Sequence, residues 1–144
     1  MAYATQNDLI PRRLTEANVL QLTDDSNAGT INTQLVTDVL TEASGKVDSY
    51  CRMRYATPLQ ASEEVKGLTL DIAVYLLFLR RGRVNDERKL AYDNAIAFLV
   101  NVSTGKATLD QPVNATPQSA APTGGALATS VEEKFNDDNL EGYI

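Results

Sequence analysis

Apolar residues recur along the first two thirds of the chain at intervals of one, three and four, the spacing that marks one face of an α-helix. Leu35, Val36, Val39, Leu40, Ala43, Val47, Tyr50 and Cys51 share such a face, and Asn32 stands before them as an N-cap. This predicts a long helix over 33–54, with Glu42–Lys46 and Asp48–Arg52 placed i,i+4 on its wet side. Pro58 then interrupts the chain. Ser62 opens a second helix over 63–81, with Glu63 and Glu64 at its positive end. From Leu68 onward that helix is apolar on nearly every side, so it belongs at the centre, covered on two faces. Asn85 caps a third helix over 86–103, whose face is Leu90, Ala91, Ala95, Ile96, Leu99 and Val102 and whose stop is Gly105. Upstream, Thr5 to Asp8 is a capping-box variant opening a short helix that Pro11 limits, and Thr15 caps a second short turn through Val19, Leu20 and Leu22. No strand-like alternation competes. The expected fold is all-α: a small helical bundle of three long helices plus one or two short N-terminal helices.

The pattern changes near Gly105. Residues 106–130 are rich in Ala, Thr, Ser, Pro, Asn and Gly and carry too few large apolar groups for a core of their own. Residues 131–144 differ again, interleaving Val131, Phe135, Leu140, Gly142, Tyr143 and Ile144 with acids. We expect a helical domain over 1–105 and an extended C-terminal arm over 106–144. The arm's closing apolar side chains bury area only against another surface, so they are the expected partner-binding residues.

Composition narrows the chemistry. The chain has 144 residues, 19 acidic and 13 basic, and a net charge of −6. It has no His, which removes the Ser–His–Asp triad and the usual general base near neutral pH. A single Cys excludes an internal disulfide framework and multi-thiolate metal sites. That residue, Cys51, lies on an apolar helix face and reads as packing. The opening MAYATQNDLIPRRL lacks the basic and apolar regions of a signal peptide. The apolar run of the second helix is too short for a membrane span of roughly 20 residues.

Each remaining motif has a bland reading beside the sharp one. The Asp24–Thr30 loop hints at a calcium loop, but the glycine and the closing Glu do not fall in register together. Gly105-Lys106-Ala107-Thr108 lacks the upstream glycine and the strand of a phosphate loop. Arg80, Arg81, Arg83, Arg88 and Lys89 form a basic cluster that suits a helix C-terminus first, then an acidic neighbouring subunit or DNA. Asp71, inside the most apolar helix, calls for an Arg or Lys partner in a structural ion pair. No cofactor, no metal and no catalytic constellation is expected.

The order of short motifs resembles the Mu-like phage and prophage family of head–tail connector (adaptor) proteins. The carriers are Met1-Ala-Tyr-Ala-Thr with Asp8-Leu-Ile, Gln21-Leu-Thr-Asp24, the Gly29 loop and Val47-Asp-Ser-Tyr50. Arg54-Tyr55, Pro58-Leu59, Leu70-Asp71-Ile-Ala73, Gly105-Lys106 and the closing Phe135, Asp138, Leu140, Gly142 and Tyr143 continue the likeness. Pro-Arg-Arg at 11–13 and the acidic ending depart from it. The resemblance implies a structural, non-enzymatic protein of the virion neck, assembled in the host cytoplasm. It implies a homo-oligomeric ring, typically of twelve copies, between the portal protein and a stopper or tail-completion protein, with DNA passing through unbound and no membrane involved. The alternative is a small helical nucleic-acid-binding protein of phage DNA packaging that uses the basic cluster.

Overall fold

The computed structural model describes residues 2–113. Among them are five helices and no strand: α1 (Gln6–Leu9), α2 (Glu16–Thr23), α3 (Thr33–Cys51), α4 (Glu63–Arg80) and α5 (Asp86–Thr104). The local signals explain the boundaries. The Asn32, Ser62 and Asn85 side chains accept the N–H of Leu35, Val65 and Arg88 at 3.0, 3.2 and 2.8 Å, and each satisfies a donor that the first turn leaves free. Thr15 does the same for Asn18 at 3.2 Å. At α1 the Asp8 carboxylate accepts the Thr5 N–H at 2.8 Å. That bond, with the Lys66 ammonium 3.2 Å away, holds the Asp8 carboxyl below its ordinary range. α5 stops at Gly105, whose φ of 86° lets the Lys106 N–H turn back to the Asn101 carbonyl at 2.8 Å. α3 ends three residues earlier than its pattern suggests, because 52–54 continue as a turn.

α4 is the central helix and packs against both α3 and α5, as its all-round apolarity requires. Leu70, Ile72, Ala73 and Leu77 are wholly buried. They meet Val36, Val47 and Cys51 of α3, Leu99 and Val102 of α5, and Leu9 and Val19 of the short helices in one apolar core. α5 is rotated relative to the face expected for it. Leu90 is 60% exposed and Ala91 is also exposed, while Ala95, Leu99 and Val102 are buried. Leu90 lies ~140° around the helix from Ala95, so the two cannot face one neighbour. Three buried polar residues belong to the core as well, and the Thr23 hydroxyl donates to the Val19 carbonyl at 2.8 Å. The Ser44 hydroxyl donates to the Leu40 carbonyl at 2.8 Å and accepts the Tyr3 N–H at 2.9 Å. The Thr69 hydroxyl donates to the Val65 carbonyl at 2.9 Å.

The compact body extends to Pro112, beyond the glycine at which the composition changes. Leu109 is buried, and its N–H donates to the Tyr55 hydroxyl at 2.8 Å. Gln60 and Gln111 bond reciprocally, backbone to side chain, at 2.9 and 3.2 Å. Residues 106–112, assigned to the arm from composition, therefore pack with the bundle. Leu109 and these three hydrogen bonds fasten the segment.

Candidate functional site

The basic cluster proposed from sequence is dispersed by the fold. Arg80 donates to the Leu22 carbonyl at 3.1 Å and is paired with the Asp25 carboxylate. Arg81 reaches the other Asp25 oxygen at 3.1 Å and the Leu22 carbonyl at 3.4 Å. The two guanidiniums thus complement the carbonyl end of α2, not of their own helix, and pull the Asp25 carboxyl below its usual range. Arg88 lies 4.6 Å from the Phe78 ring centre, a cation–π contact, and Lys89 pairs with Asp93 at 2.9 Å. Arg83 is exposed and makes no ion pair with a described residue.

The acids of the 24–30 loop are also turned inward. The Asp24 carboxylate accepts the N–H groups of Ala28 and Gly29 at 2.8 and 2.7 Å, and Asp25 faces Arg80 and Arg81. No gathering of three or more His, Cys, Asp or Glu suited to a metal occurs among the described residues. No helix of the described residues is long and apolar enough to cross a membrane. Asp71 has its partner in Arg13, at 2.7 Å, and the pair sits half-exposed at the rim of the bundle instead of in its core. The Pro-Arg-Arg segment that departs from the family pattern supplies that partner. The expected α3 pairs do not close. Lys46 lies 5.8 Å from the Tyr92 ring centre, Asp48 accepts the Tyr3 hydroxyl, and Arg52 turns to the Asp48 carbonyl. For Lys46 and Asp48 tertiary neighbours outcompete an exposed i,i+4 pair, which is worth only about 0.3–0.5 kcal/mol.

Several short motifs that are far apart in sequence are joints in space. Tyr3 ties the N-terminal segment to α3 through Ser44 and Asp48, and its hydroxyl accepts the Leu59 N–H at 2.9 Å. Burial first, then the bond to Asp48, pushes the Tyr3 phenol up to about 12. Tyr55 holds Leu109, and Arg54 lies against Gly105. A Cβ on Gly105 would stand 2.5 Å from the Arg54 Nη1, and φ there is 86°. Gly105→Ala is therefore expected to lower unfolding stability by about 1–2 kcal/mol. Gly45→Ala, in the open middle of α3, is expected to raise it by about 0.5–1 kcal/mol. Urea denaturation of the pair checks both signs.

Cys51 is wholly buried, and burial raises its thiol to about 11, with Asp48 adding to the effect. Native protein at pH 8 is expected to resist iodoacetamide, whereas urea-unfolded protein reacts fully. Mass spectrometry of the two samples reads this directly.

What emerges at the surface is an uneven set of corners around a closed core. Exposed apolar side chains stand at Met53 (75% exposed), Leu79, Leu90, Val100 and Val113. The turn after α3 and the turn after α5 meet at Arg54 and Gly105. Arg52, Arg54 and Lys106 there make no ion pair among the described residues. Sequence periodicity does not reveal this second cationic group, since Lys106 lies 52 residues beyond Arg54. The closing residues Val131, Phe135, Leu140, Gly142, Tyr143 and Ile144 lie outside the described residues.

These features define a small all-helical body with exposed apolar and cationic side chains near its helix ends. The chain belongs to the phage family described as Bacteriophage Mu, Gp36, whose model matches residues 3–127. It is also similar to the Mu-like prophage FluMu protein gp36 of Haemophilus influenzae, at 27% identity over 143 residues covering 99% of this chain and 98% of the relative.

Proposed function

We propose that this protein is a structural, non-catalytic component of the virion neck, a head–tail connector that docks as a ring beneath the portal. It links the portal to a stopper or tail-completion protein and leaves a channel for DNA. The observation that carries this reading is the extent of the family match, which runs through the helical body and past its end at Pro112. The family likeness thus continues beyond the compact helical body. A rigid wedge with an adhesive extension is the form expected of a subunit completed by assembly. The acidic balance also suits a channel wall, because like charge keeps DNA phosphates from adhering.

The nucleic-acid-binding alternative draws less support. Four of its five cations already have partners inside the body. Mixing the purified protein with its portal and imaging the product by electron microscopy tests the connector reading. A ring of added density on one face of the portal is expected, and bare portals at saturating protein would overturn it.

A further inference from the structure

From the corner where α3 and α5 end, we infer that the closing segment 131–144 of one copy docks on residues Arg52, Met53, Arg54 and Lys106 of a neighbouring copy. This rests on the assembly reading above. The corner combines two features that a solvated helix end does not need together. Met53, the most exposed large apolar side chain of the described residues, stands between two arginines. Arg54 is pressed against Gly105, which brings Lys106 to the same corner. The Arg54 Nε is buried without a hydrogen-bond partner among the described residues. The nearby Asp48 carboxylate is engaged by Tyr3, and Asp110 makes no ion pair with Lys106. The corner is therefore cationic, without an ion pair among the described residues, and partly apolar.

The closing segment has the complementary chemistry. It carries Glu132, Glu133, Asp137, Asp138 and Glu141 against the single Lys134, with Phe135, Leu140, Tyr143 and Ile144 between them. Carboxylates beside aromatic and aliphatic groups match guanidiniums beside a thioether. Chain length allows the neighbour to be reached. The 17 residues 114–130 span up to roughly 58 Å when extended. A body of this size is about 35 Å across. The spacer is therefore long enough to reach the equivalent corner of an adjacent copy.

The test is a photo-crosslink in the full chain. Phe135→p-benzoylphenylalanine protein is prepared with normal and with ¹⁵N-labelled nitrogen, mixed in equal amounts at millimolar concentration, and irradiated. Mass spectrometry is expected to find mixed-isotope crosslinks between the 131–144 peptide and peptides holding Arg52–Arg54 or Lys106. Introducing Arg52→Glu with Lys106→Glu, both exposed, is expected to cut that yield about tenfold. Same-isotope crosslinks alone, crosslinks only elsewhere, no crosslinks, or a yield indifferent to the charge reversals would each overturn the inference. A portal ring that forms while crosslinks fall elsewhere would sink this inference and spare the connector reading. Mixed-isotope crosslinks at the corner without any portal ring would do the reverse.

Discussion

Removing residues 131–144 is expected to abolish docking onto the portal while the helical body stays folded. The body has its own core, from Ala4 to Leu109, and ends at Pro112, so none of its described contacts involves the deleted residues. Far-UV circular dichroism and the thermal midpoint should match those of the full chain. Docking should fail because the deletion removes Phe135, Leu140, Tyr143 and Ile144, large apolar side chains of the type that dominates interface energetics. Ordering such a segment only on contact also discourages premature assembly, since the ordering entropy is met at the docking site. Co-sedimentation with portal rings reads the result. If the truncated protein docked with unchanged affinity, the closing segment would have no role in assembly.

The second large effect is expected inside the bundle. Leu77 is wholly buried on α4, between α3 and α5. Leu77→Ala leaves a cavity that the packed neighbours cannot fill, at about 2–5 kcal/mol. In a domain of this size that lowers the thermal midpoint by on the order of 10–20 °C. Leu79, two residues on, is 51% exposed. Leu79→Ala should change stability by no more than about 0.5 kcal/mol. Urea titrations with equal slopes for both variants would isolate the packing effect. Equal losses at the two positions would mean that α4 is not the central helix.

The two stability predictions differ in what makes them readable. That α4 is central follows from its composition, because a helix apolar on all sides has no stable position at the surface. The identity of the residues around Gly105 does not follow in this way. A glycine after a helix reads as a stop from sequence alone, and it is one. That Arg54 occupies the space where its side chain would be is decided by the approach of two helix ends.

The same division runs through the candidate surface. The family motifs stand in order along the sequence, and each is only a few residues long. In space Tyr3 meets Asp48 and Leu59, Tyr55 meets Leu109, and Arg54 meets Gly105. The basic run from Arg80 to Lys89 misleads in the opposite direction. Residues close in sequence at a helix junction point to different neighbours, α2 for Arg80 and Arg81, Phe78 for Arg88 and Asp93 for Lys89.

By itself the sequence determined the helices, their caps at Asn32, Ser62, Asn85 and Gly105, and the central place of α4. Capping bonds and helical periodicity join residues within four or five positions, so they are written locally. Only the tertiary structure decided that Arg13 answers Asp71, that α5 turns Leu90 outward, and that residues 106–112 close over the bundle. Periodicity states which face of a helix must be covered. Which neighbour covers it depends on how all the faces can be buried at once, and that is settled only when the helices pack.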